Sequence, residues 1–139
     1  RFGATSRAFA TEPDRVMVAF IAEGRQVRVV LRFPSVDDPQ FQYSGTGNRR
    51  RLRTPAQRNV AHLAEIRRLW RSLALTVKAK MDAIDSGIET FEEAWLAHIV
   101  LPDGATVAEH ALPAVAEAYQ TGVVRPFIPR AAITDGSTS

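Results

Sequence analysis

From Val16 to Ile21 the chain is an almost unbroken apolar run, Glu23 and Gly24 follow as turn residues, and from Gln26 to Phe33 apolar and polar positions alternate. A period of two places Val27, Val29, Leu31 and Phe33 on one face of a strand and Gln26, Arg28, Val30 and Arg32 on the other. The two segments predict an antiparallel hairpin whose solvated face is basic. A shorter strand over Ala8–Thr11, ended by Glu12, Pro13 and Asp14, is expected to precede it.

The periodicity stops at Pro34. Residues 34–54 hold Pro34, Pro39, Gly45, Gly47 and the cluster Arg49, Arg50, Arg51 and Arg53, which predicts a long basic loop without regular structure, functional or disordered. Its glycines lack the Gly-Lys-Ser/Thr ending of a phosphate-cradling loop, so nucleotide hydrolysis is not expected. Thr54 then offers an N-cap and Pro55 the preferred first helical position. A helix is expected to run to Asp85, with Leu63, Ile66, Trp70, Leu73, Val77, Met81 and Ile84 as a buried stripe spaced by threes and fours. Arg67, Arg71 and Lys78 flank that stripe on one side with Arg68 beyond them, and Arg58, His62 and Lys80 lie on the other.

Gly87 ends the long helix. Thr90 with Glu93, and Thr106 with Glu109, mark the starts of two shorter helices. The second carries Leu112, Val115 and Tyr119, meets Pro113 early, where a kink is expected, and stops at Gly122. The expected fold is α+β: a small antiparallel sheet, a hairpin plus a third strand, packed on a long basic helix with two shorter helices after it. One domain is expected over residues 1–125, with 126–139 an irregular tail. The pattern is already under way at Arg1, with no initiating methionine, which predicts a segment upstream.

The chain has no cysteine, so thiolate metal sites and cysteine nucleophiles are excluded. His62, His98 and His110 share no ligand spacing, no serine stands in a nucleophile-elbow context, and the carboxylates Asp82, Asp85, Glu92 and Glu93 fit helix ends and surfaces. A non-catalytic protein without metal or cofactor is expected. No run approaches the roughly 20 apolar residues of a membrane span, so no membrane contact and a cytoplasmic setting are expected.

Charge changes the picture more. Residues 1–80 carry sixteen Lys and Arg against six Asp and Glu, whereas residues 81–139 carry two against nine. Between Arg49 and Lys80 stand ten basic residues and a single carboxylate, Glu65. A solvated face usually mixes signs to avoid self-repulsion; this one does not. Fourteen of the sixteen cations in the first half are arginine, whose planar fork suits phosphate oxygens, although a GC-rich coding sequence also favours arginine. Candidate nucleic-acid contacts are therefore Arg49, Arg50, Arg51, Arg53, Arg58, Arg67, Arg68 and Arg71, with Arg28 and Arg32 on the hairpin, and Phe41 and Tyr43 as stacking groups. Single-stranded DNA is the expected partner, and an acidic protein surface, as for a phage inhibitor of a host protein, is the alternative. Attraction between basic and acidic halves of neighbouring copies predicts a homo-oligomer.

The segment Lys78–Glu109, KAKMDAIDSGIETFEEAWLAHIVLPDGATVAE, resembles a family of uncharacterised bacteriophage and prophage proteins, and the likeness runs from Arg1 to Gly122. It implies a phage or mobile-element setting and carries no functional residue. The order of strands and basic helix also looks like the core of phage single-strand annealing recombinases, and like a double-stranded-RNA-binding domain without its first helix. Both are likenesses of fold.

Overall fold

Glu23 and Gly24 both take positive φ, 51° and 72°. That is the backbone of a two-residue hairpin turn whose twist matches its flanking strands. It joins β2 (Arg15–Ala22) to β3 (Arg25–Arg32), and β1 (Ser6–Glu12) completes a three-stranded antiparallel sheet in the order β1-β2-β3. Val16 lies opposite Leu31, Val18 opposite Val29 and Phe20 opposite Val27, so one face gathers the large apolar side chains. Arg15 opposite Arg32 and Ala19 opposite Arg28 mark the other. A computed structural model of the chain describes residues 6–128, so most of the expected tail lies outside the described residues.

The apolar face is closed by α1 (Pro55–Asp85) and α2 (Phe91–Trp95). Ala22, Val27, Phe91, Ala94 and Trp95 form the buried cluster, with Phe20, Val29 and the α1 side chains Val77, Met81 and Ile84 packed around it. Trp95 is only 1% exposed and meets Phe20 edge-on at 5.4 Å. The segment after α2 then zips along the hairpin. Val100 N–H donates to the Gln26 carbonyl at 2.8 Å, Val27 bridges Ile99, and Val107 N–H donates to the Ile99 carbonyl at 3.0 Å. This places the start of α3 (Val107–Thr121) beside the sheet.

The helix ends follow the residues expected to make them. Thr54 with Gln57 and Thr106 with Glu109 form full capping boxes, while Thr90 accepts from the Glu93 N–H. Gly122, at φ 74°, terminates α3, and Pro113 is accommodated inside it. The fold is α+β, with the three-stranded sheet, the long helix and two shorter ones.

Two expectations need correction. The stripe on α1 is not core along its length: no α1 residue is fully buried, and Leu63 is exposed. Only its C-terminal part, Val77, Met81 and Ile84, reaches the cluster, while Trp70 lies half out of the fold, 6.1 Å from Phe33. Residues 34–54 are also not a structureless loop. They fold into a small ribbon, β4 (Tyr43–Ser44) paired antiparallel with β5 (Arg51–Leu52), preceded by a single helical turn at Pro39–Phe41 and connected through another at Gly47–Arg49.

His98 sits where the sheet, α1 and α2 meet. Burial, the Lys80 ammonium and a weaker opposing hydrogen bond to the Arg28 backbone act on it, and together they hold its pKa below the ordinary 6.5. The fold thus accommodates the neutral ring, so this contribution to stability is whole above pH 6.5 and is lost as pH falls through the lowered folded value. Urea titrations at stepwise lower pH should show a decline that His98→Gln flattens.

Candidate functional site

The ribbon seats itself on the first half of α1 by its backbone and one ring. Arg53 N–H donates to the Gln42 carbonyl at 2.8 Å and the Arg53 guanidinium donates to the Phe41 carbonyl at 3.4 Å. Arg58 donates to Gln42 Oε1 at 2.9 Å, and His62 Nε2 lies 2.8 Å from the Pro34 carbonyl. Phe41 is the plug, 4% exposed and edge-on to His62 at 5.4 Å. Gly45 makes the turn possible. At φ +78°, with an added Cβ 2.5 Å from the Arg49 carbonyl oxygen, it admits no side chain. Gly45→Ala is therefore expected to cost roughly 1–3 kcal/mol and to loosen the ribbon selectively, which amide exchange across residues 42–53 would reveal.

This geometry sorts the candidate residues into groups. Arg49, Arg50 and Arg51 stand exposed on the ribbon, and none forms an ion pair with a carboxylate among the described residues. Arg50 lies over the exposed Tyr43 ring, 4.1 Å from its centroid, which fixes both planes near the surface. Arg53, Arg68 and Arg71 line one groove between ribbon and helix, with Gln40, Ala61 and Ala64. Arg68 is partly committed, forked onto Glu65 at 2.6 and 2.8 Å. The bond raises the guanidinium pKa and lowers the carboxyl's, so the pair stays ionised at neutral pH. A neighbouring strip of Ala56, Val60, Ala61 and Ala64, bordered by Arg53, extends the groove with an apolar floor.

Other candidates fall elsewhere. Phe41 is corrected from stacking group to core: it borders the groove, but at 4% exposure its ring lies under the ribbon and offers no free face for stacking. Arg58 is part-buried and spent on Gln42. Arg67 is exposed on the outer side of α1, outside the groove lining. Arg28 and Arg32 are on the sheet face turned away from α1, and Arg28 is ion-paired with Glu109 at 3.3 Å, as Arg25 is with Glu92 at 3.2 Å. The hairpin cations thus clasp the acidic second half. Sequence reasoning missed the groove floor, because Ala56, Val60, Ala61 and Ala64 lie outside the apolar stripe traced along α1 from Leu63 to Ile84.

What the site can do chemically is bind. Guanidinium groups flank an apolar floor with one exposed, cation-capped aromatic ring, an arrangement that can hold anionic oxygens at its rim and flat or apolar groups between them. Among the described residues no set of three or more His, Asp or Glu side chains is placed to hold a metal ion, and no helix is long and apolar enough to cross a membrane. No known family, curated protein or solved structure matches the chain.

Proposed function

We propose that the protein binds single-stranded DNA without sequence preference, through the β4–β5 ribbon and the adjoining face of α1. It acts as a non-catalytic component of phage or mobile-element replication or recombination in a bacterial cytoplasm. One observation carries the reading: three consecutive exposed arginines, without carboxylate partners among the described residues, stand on the ribbon that leads into Arg53, which lines a groove with Arg68, Arg71 and the Arg68-paired Glu65. Cationic rims suit a phosphate backbone, and the apolar floor with Tyr43 suits unpaired bases, which offer their faces where a duplex hides them.

Fluorescence anisotropy with labelled single-stranded and duplex oligonucleotides at two salt concentrations tests it. Affinity should fall log-linearly with salt and be higher for the single strand; silence at low salt would defeat the proposal. A second reading, docking on an acidic protein, is favoured by the exposed Val60, Leu63 and Leu75 among the cations of α1. It predicts one or two dominant side chains in place of an even contribution from each arginine.

A further inference from the structure

Two helices leave regular apolar stripes in solvent. On α1, Ala56, Val60, Leu63, Arg67, Trp70 and Ala74 follow one another at intervals of four and three, and all are exposed, Val60 to 70%. On α3 and just past it, Glu109, Leu112, Ala116, Tyr119 and Val123 follow at three and four, again all exposed, Leu112 to 65% and Tyr119 to 90%. Spacing of this kind is the seam by which one helix receives another, with each side chain entering a gap between four others. Among the described residues neither stripe is buried, and the one ring contact on them is that of Trp70 with Phe33 at 6.1 Å.

Charge selects which stripes meet. Arg67 lies in the α1 stripe with Arg71 and Lys78 beside it, whereas α3 carries no Lys or Arg and two exposed carboxylates, Glu109 and Glu117, each held by one guanidinium of its own chain, Arg28 and Arg125. Pairing α1 with α1 sets arginine against arginine, whereas α3 offers that basic stripe two exposed carboxylates, each able to accept a second guanidinium. The helical part of the α3 stripe, Glu109 to Tyr119, is about 15 Å long and fits within the roughly 27 Å of the α1 stripe. Beside Tyr119 an apolar notch lined by Val115, Ala118, Val124 and Phe127 is open to receive a side chain.

We infer that the outer stripe of α1 docks on the outer stripe of α3 from a second copy of this chain, in a head-to-tail contact. Such a contact uses two different surfaces and leaves one of each unfilled at the ends, so it propagates into rings or open chains. It needs no nucleic acid, and because it uses Ala56 and Val60 of the groove floor, a second copy and DNA compete for that end of α1.

Light scattering coupled to size-exclusion chromatography of the whole chain, without nucleic acid, tests this. The unaltered protein should run above the mass of one chain and rise with concentration. Leu63→Glu and Leu112→Glu, both at exposed positions, should each reduce it to a single chain while thermal melting by circular dichroism stays close to the parent. Mixed in equal amounts, the two variants should form a one-to-one dimer, since each retains the stripe that the other has lost. A parent that stays monomeric at the highest soluble concentration overturns the inference. So does a mixture that stays monomeric, or an assembly abolished by Leu63→Glu and untouched by Leu112→Glu.

Discussion

Trp95→Ala is expected to lower the free energy of unfolding by about 3–5 kcal/mol, most of the margin of a domain this size. The indole is 1% exposed and is where three elements meet: Phe20, Ala22 and Val27 from the hairpin, Phe91 and Ala94 from its own helix, and Val77, Met81 and Ile84 from α1. Lys80 binds over it as well, 5.2 Å from the ring, while its ammonium donates to the Ala94 carbonyl at 2.5 Å. Removing the ring opens a cavity that relaxation on one side does not fill. Trp95→Phe should cost distinctly less, because the indole Nε1 has no hydrogen-bond partner among the described residues and phenylalanine removes that buried orphan. Urea unfolding of the three proteins followed by circular dichroism checks the order, and equal losses for Phe and Ala would show that ring packing is not what Trp95 supplies.

Replacing Arg49, Arg50 and Arg51 together with alanine should remove about two from the slope of log affinity against log salt for single-stranded DNA, at roughly 0.7 per phosphate contact. The change follows from where these side chains stand: exposed, on a turn held by Gly45, and without carboxylate partners among the described residues. Arg28→Ala with Arg32→Ala is the control. Those cations lie on the far face of the sheet, and Arg28 is already paired with Glu109, so the slope should stay as it is while stability falls slightly. Anisotropy titrations over a series of salt concentrations give both numbers. An unchanged slope in the ribbon variant, or an equal change in the hairpin variant, would move the anion-binding surface away from the ribbon.

The fold was largely legible because its boundaries are set by local chemistry. The Glu23-Gly24 turn, the caps at Thr54, Thr90 and Thr106, and the stops at Gly87 and Gly122 each depend on a few adjacent residues. What covers a helix face is another matter. Val60, Leu63 and Trp70 have the spacing of buried residues, yet the first half of α1 turns Arg58, Ala61, His62 and Glu65 inward. Its neighbour there is a ribbon that offers backbone carbonyls and a glutamine, which polar side chains satisfy better than leucine. The ribbon itself has strands of two residues, too short for any alternation to be read. Phe41 looked free in a polar stretch and became the plug because the chain folds back over it. The Arg28–Glu109 pair, 81 residues apart, divides the cations by a contact that no local pattern carries. So the arginine cluster was readable as a site, and its separation from the hairpin cations was not.

The long helix has one consequence for how the molecule comes apart. Its 31 residues span about 46 Å, yet its two ends are supported by different neighbours, Phe41 and the ribbon at one and the Trp95 cluster at the other. A rod held this way need not release both ends at once. Its amino-terminal turns can unwind together with the ribbon as one small cooperative unit while the carboxyl-terminal turns stay wound on the sheet. In native-state hydrogen exchange the amides from Val60 to Leu69 should therefore trade with solvent well before those from Val77 to Ile84.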